Sequence, residues 1–361
     1  MISKDDIIKI IEYGTYAPSG DNSQPWRFEV ESGSDSPHEA RSVIKVFNIL
    51  GKDNPILNIR NRGSYVAHGA VVENMVIAAS KMGFEAEVKV FPEDSSPHMT
   101  ASVILTSGVP ANEPLFDSIK ERVTNRKPYK KEPLSDREKR DLADAGRIAG
   151  VGELKILESR DDLQNVAHAL SVTERVALET PALHALFFGG MLWNEEENKR
   201  GESGLYIKTI EVPLTVQFLF RLIKKWPAMK CFNAIGFPLL AARSNAALYA
   251  SSGAFGAIVV PDTDEDFFRA GRILERVWLT ATKLGLSFQP VTGILFLNQR
   301  IQSPEGHPFS RENAERIKEA YAKIEASFGA RGKIIAMLFR VGKDGEPSAR
   351  SYRKKPEITF Q

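Results

Sequence analysis

Cysteine is all but missing from this chain. Cys231 is the only one in 361 residues. A disulfide framework and a cysteine-built metal site within one chain are therefore excluded, and a reducing, cytoplasmic setting is expected. Histidine is scarce too: His38, His68, His98, His168, His184 and His307 never fall at H-x-x-x-H spacing, so no metal site is expected. No Ser–His–Asp or Cys–His set is legible. Net charge is nearly absent, since 48 basic and 46 acidic residues leave +2. That balance generates no nucleic-acid field. Long apolar runs are missing as well. The longest uncharged stretch, 244–261, carries three serines, an asparagine and two glycines. It is too polar for a membrane span, and it reads as a loop feeding a buried strand, GAIVV (256–260). The opening MISKDDIIKIIEYG is an acid-bearing amphipathic helix without the layout of a signal peptide.

What is present is a chain long enough for two domains, 42% hydrophobic, with material for a real core. Helices are expected at 3–13, 64–84, up to Arg122, from about Ser135, and at 161–179, 264–284 and 310–327. Strands are expected at 26–30, 43–47, 85–91, 101–107, 154–158, 256–260 and 333–341, with a turn-rich connection at 32–42 and a basic tail. GAVVENMVIAASKMGF (69–84) returns 202 residues later as GRILERVWLTATKLGL (271–286). Both are helices stopped by glycine. The shared small-residue pattern goes beyond periodicity and favours a duplicated unit over coincidence.

The most informative stretch is APSGDNSQPWRF (17–28). Two prolines bracket a run of short polar side chains, a composition that fits a sharply turned loop and not a helix interior. Ser19 and Asn22 can donate and accept hydrogen bonds there, and Pro18 lowers the entropy lost on ordering. A-P-S-x-x-N-x-Q-P-W before a strand resembles the signature of the flavin-dependent nitroreductases. RVTNRKPY (122–129) resembles that family's R-x-[ST]-x-[RK]-x-x-[FY] turn, and QPVTG (289–293) its flavin-edge loop. The proline loop lies about a hundred residues before the arginine turn, in the other repeat. That order is similar to the tandem, Acg-type branch, in which two fused units mimic the usual homodimer.

The resemblance implies one flavin mononucleotide (FMN) per chain, held between the halves. A phosphate dianion wants fixed cations and hydroxyl or amide donors. Arg122 and Thr124 can supply them, with Arg353 and Lys354 of the tail as further partners. The alternatives are a solvated helix end for Arg122 and a disordered tail for the other two. Arg126 is matched to the cation that stabilises the reduced pyrimidine edge, or is an ordinary surface arginine. Pro18, Ser19 and Asn22 are implied to reach the ribityl and pyrimidine groups. Gln24 supports the ring edge or the loop itself, and Trp26 is assigned to the core. Pro290, Val291, Thr292 and Gly293 would lie against the ring's N5, or simply form a turn; a glycine there allows close backbone approach.

Residues 185–250 depart from the family. EVPLTVQFLFRLIKKWP (211–227) sets Val212, Val216, Leu219, Phe220, Ile223 and Trp226 on one helical face. A lid over the flavin, a core or oligomer-contact helix, and a membrane-surface helix all remain open, with the Acg-type resemblance favouring the lid. The expectation is an α+β nitroreductase-like fold, duplicated within the chain, with halves at 1–111 and 112–361. NAD(P)H would reduce the flavin, and a small electron-poor acceptor, nitroaromatic or quinone, would reoxidise it by a ping-pong route. The alternative is an FMN-sequestering protein with little turnover. No nucleic-acid or membrane partner is expected, and the chain is a monomer mimicking a dimer, or a homodimer.

Overall fold

The computed structural model describes residues 2–32, 41–92, 96–147 and 152–361. Most of the connection expected at 32–42 lies outside them. So does 148–151.

Each half of the chain builds the same unit. In the first, Ser3 caps α1 (Lys4–Gly14) by accepting from the Asp6 amide. β1 (Trp26–Ser32), β2 (Arg41–Asn48), α2 (Arg62–Lys81), β3 (Phe84–Val90) and β4 (Met99–Ser107) follow. A short helix, α3 (Ser118–Glu121), leads to the second half. There Ser135 and Glu138 close a capping box on α4 (Asp136–Ala145), which begins where the helix from about Ser135 is expected. β5 (Glu153–Leu157) comes next. An insertion then runs through α5 (Arg160–Leu170), α6 (Val172–Glu179), α7 (Pro181–Gly189), β6 (Met191–Leu192), α8 (Glu195–Lys199) and β7 (Leu205–Tyr206). It continues through α9 (Leu214–Ile223), α10 (Trp226–Ala234) and α11 (Phe237–Ala250). The unit resumes with β8 (Ala254–Val260), α12 (Asp264–Lys283), β9 (Ser287–Pro290), α13 (Gly293–Gln302), α14 (Arg311–Phe328) and β10 (Ile334–Gly342), and β11 (Ile358–Phe360) ends the chain.

The strand orders show the duplication. The first sheet runs β1-β2-β4-β3 and the second β5-β8-β10-β9, with every one of these pairs antiparallel. α2 and α12, the two copies seen in the sequence, pack on each other at the centre. A Cβ on Gly69 would lie 1.9 Å from the Phe268 carbonyl oxygen, and one on Gly271 would lie 2.0 Å from that of Val66. The backbones touch there, and no side chain fits. Glu73, fully buried on α2, takes Arg272 of α12 at 2.7 Å and also Arg276. α2 is buried almost all round because it has α1 and its sheet on one side and α12 on the other.

Several elements differ from expectation. Residues 161–179 form two helices, since the Ser171 hydroxyl donates to the His168 carbonyl at 2.9 Å and competes with the backbone ladder. The stretch read as a loop from Ser244 is helical to Ala250, in a run of alanine and leucine that favours helix. QPVTG is not a bare loop, because β9 ends at Pro290 and α13 starts at Gly293. The tail is ordered. It crosses from the second sheet to the first, where β11 adds to β1 in parallel, with Phe28 beside Ile358. Trp26 is buried in the first core, as expected. Among the described residues, no helix is long and apolar enough to cross a membrane.

Candidate functional site

The proline-flanked loop works as a clamp. Asp21, Asn22 and Gln24 all have left-handed backbone, with φ of 46°, 56° and 51°. The Gln24 amide donates to Ser19 Oγ at 3.0 Å. Its side-chain Nε2 donates to the Asn22 carbonyl at 3.1 Å and the Gly201 carbonyl at 2.8 Å, while its Oε1 accepts from the Lys354 amide at 2.9 Å. Asn22 Nδ2 donates to Tyr352 O at 2.9 Å, and Asn22 Oδ1 accepts from Arg353. One loop thus fastens both the insertion and the tail. At Gly201, with φ of 69°, an added Cβ would meet the Arg353 backbone at 2.5 Å. Beneath the loop, His68 Nε2 donates to the Pro25 carbonyl at 2.9 Å. Burial pushes that imidazole down to about 4, so it is neutral at physiological pH.

The arginine turn lies against this loop. Arg122 is buried, pairs with buried Glu275 at 3.3 Å, stacks over Trp278 at 4.3 Å, and donates to the Tyr16 carbonyl. Arg126 donates to the Thr209 carbonyl at 3.0 Å. The two segments, the tail and part of the insertion line a cavity of about 350 Å³. Lys120, Arg122, Arg126, Arg350 and Arg353 line it, and Asp21 is the one carboxylate in its wall. Arg350 is held by the carbonyls of Lys120 and Glu121, at 2.9 and 3.1 Å. Arg353 donates to Asn22 and to the Ala17 carbonyl, but its Nε is buried with no partner. Burial first, and then the neighbouring Arg122 charge, pull Arg353 down to about 9. The concentration of positive charge around one cavity fits a dianion.

A second cavity of about 280 Å³ shares Asp21 with the first. Pro290, Val291, Thr292 and Gly293 line it. The Val291 amide is already given to the Leu338 carbonyl at 2.8 Å, whereas Gly293 opens α13, where N–H groups have no intrahelical acceptor. Asp53, Glu174 and Tyr249 are among its polar lining, with Asn54, Asn58 and Gln289. Tyr249 Oη donates to Glu174 Oε1 at 2.5 Å, while Glu174 Oε2 is buried without a partner. Burial pushes this carboxyl up to about 7. Burial also raises Asp21, against the pull of Arg126.

The structure therefore brings Pro18, Ser19, Asn22, Arg122, Thr124, Arg126 and Arg353 to one cavity and 290–293 to its neighbour. Gln24 lines neither, because its amide is spent on the clamp, and the Lys354 side chain is exposed. Lys120, Arg350, Glu174 and Tyr249 escaped the sequence reading. The basic tail text SARSYRKKP hints at Arg350; no local pattern marks Glu174.

No family model matches the chain. An uncharacterized protein of Mycobacterium tuberculosis is 24% identical over 349 residues, covering 94% of this chain and 46% of its own length. A second uncharacterized protein of that species is 31% identical over 87 residues, 24% of each chain. The chain thus spans less than half the length of these curated relatives. A crystal structure of a provisionally assigned nitroreductase from Anabaena variabilis covers 94% of this chain and 88% of its own, with TM-score 0.50 and 10% identity. The fold is nitroreductase-like. The FMN-dependent nitroreductase NfnB of Mycobacterium smegmatis, solved with NADPH, covers 63% of this chain and 86% of its own, at TM-score 0.36 and 15% identity. A nitroreductase-like fold built twice in one chain accounts for the paired sheets and the central α2–α12 contact.

Proposed function

We propose that this chain is a cytoplasmic FMN-dependent oxidoreductase of the tandem, Acg-type branch, with halves meeting near residue 111. NAD(P)H would serve as reductant and a small electron-poor acceptor as oxidant. The observation that carries the reading is the cationic cavity where the proline loop, the arginine turn and the tail converge.

Its residues fit FMN chemically. Arg350, Arg353, Arg122 and Thr124 would hold the phosphate, and the unpartnered Arg353 Nε is a donor in want of an acceptor. Ser19 and Asn22 would meet the polar chain, with Arg126 near the pyrimidine edge and 290–293 along the ring. Bound FMN supplies two-electron hydride chemistry that no protein side chain here provides. The chain's part is to bind, to orient and to manage protons. Segment 201–209 and the tail would form part of the wall around the phosphate end. Glu174 lines the second cavity with Tyr249 fixing one of its oxygens, and it would supply a proton to a reduced acceptor there once a side-chain movement exposes the buried Oε2.

A second reading, FMN sequestration with little turnover, draws on Gly204, Leu205 and Thr209 of the insertion, which form part of the wall of the first cavity. One experiment separates the two. The purified protein is expected to be yellow, or to take up FMN, and to bleach anaerobically with NADH or NADPH. A yellow protein that resists bleaching by either favours sequestration. A protein that binds no FMN overturns both.

A further inference from the structure

Neither cavity uses the outer surface of the insertion. α9 has two apolar faces. Leu219, Phe220 and Ile223 pack into a small core with Phe188, Met191, Tyr206 and Met229, so most of the stripe expected from the sequence does face inward. The opposite face carries Leu214, Phe218 and Leu222 at four-residue spacing, 80%, 74% and 54% exposed. The α10–α11 turn adds Ile235, Leu239 and Leu240, also exposed. Only four other large hydrophobic side chains are exposed among the described residues, so this surface is where they concentrate.

Its charge is equally one-sided. Between Glu211 and Asp262 the chain has no carboxylate, yet it carries Arg221, Lys224, Lys225, Lys230 and Arg243, all exposed. We propose that α9, with the α10–α11 turn, docks this protein on the surface of an anionic lipid bilayer. Leu214, Phe218 and Leu222 enter the boundary between headgroups and acyl chains, and Arg221, Lys224 and Lys225 meet lipid phosphates. Two features favour a bilayer over other occupants. A second copy packed isologously would set these cations against themselves, with no carboxylate in the segment to answer them. A bound peptide wants a groove, but side chains this exposed project from a convex helix. Docking leaves the chain outside the hydrocarbon core.

The test uses the full-length protein in vesicle flotation. It is expected to float with phosphatidylcholine vesicles containing phosphatidylglycerol, not with phosphatidylcholine alone, and to be released by salt. Phe218→Glu and the pair Arg221→Glu, Lys224→Glu should each lower partition by about tenfold or more. Leu50→Glu, at an exposed apolar residue elsewhere, should leave it unchanged. Unchanged melting temperature in Phe218→Glu shows that the fold is intact. Failure to float with either vesicle overturns the proposal, as does flotation that Phe218→Glu does not weaken. Concentration-dependent self-association abolished by Phe218→Glu, without vesicle binding, assigns the face to a second copy instead.

Discussion

Arg350 reaches its cavity from the tail and is held only by two backbone carbonyls, so its removal leaves no buried carboxylate stranded. Arg122 is different, because Glu275 beneath it would lose its counter-charge. Arg350→Ala is therefore the cleaner probe. It should weaken FMN binding by about 1.5–3 kcal/mol, roughly tenfold or more in Kd by flavin fluorescence titration, while Arg160→Ala changes nothing. Glu174→Gln should keep its FMN but lose a pH inflection. In the parent protein, acceptor reduction is expected to fall as pH rises through about 7, because the carboxyl then gives up the proton it would donate. Stopped-flow reoxidation across pH 5 to 9 reads both. His68 sets a stability limit in acid. The unfolded chain takes up this proton near pH 6.5 and the folded chain only near pH 4, so acid in that window favours unfolding. Stability should fall by up to about 3 kcal/mol between those values, measured by denaturant titration. A Kd of Arg350→Ala equal to the parent's would remove that residue from the site.

At the scale of elements, the α2–α12 contact is the least forgiving part of the fold. Gly69 and Gly271 bring two helix backbones together where even a methyl group overlaps a carbonyl oxygen. Gly69→Ala and Gly271→Ala should each cost about 3 kcal/mol or more, seen as a lowered midpoint in urea or as loss of folded protein. Gly189→Ala, with open space around it, is the control. The glycine pair was visible in the sequence as the first letters of an internal echo. Its meaning was not, because a repeat says that two helices are alike and not that they cross. The insertion shows a related limit. Period 3.6 marked the inward stripe of α9, but Leu214, Phe218 and Leu222 form a second stripe, and only packing shows which one is left outside.

Over the whole molecule, the tail is a strap joining the two sheets. It leaves β10, passes Arg350 and Arg353 through the cavity wall, and ends as β11 beside β1. A chain ended at Lys355 keeps both arginines but loses the far anchor. FMN affinity should drop by about tenfold and the melting temperature by several degrees, because the strap must then be ordered by the ligand itself. Equal affinity would mean that the strap is held by Asn22 and Gln24 alone. The sequence by itself determined most strands and helices outside the insertion, the duplication and the sharp turn of the proline loop, since all three are written in local composition and spacing. It also picked out Arg122 and Arg353, which line one cavity. Only the tertiary structure decided that Gln24 fastens the loop instead of facing a ligand, that Lys354 points to solvent, and that Glu174 shares a cavity with residues more than a hundred positions away. Burial and unpaired donors come from the meeting of distant segments, and no local pattern of residues carries that information.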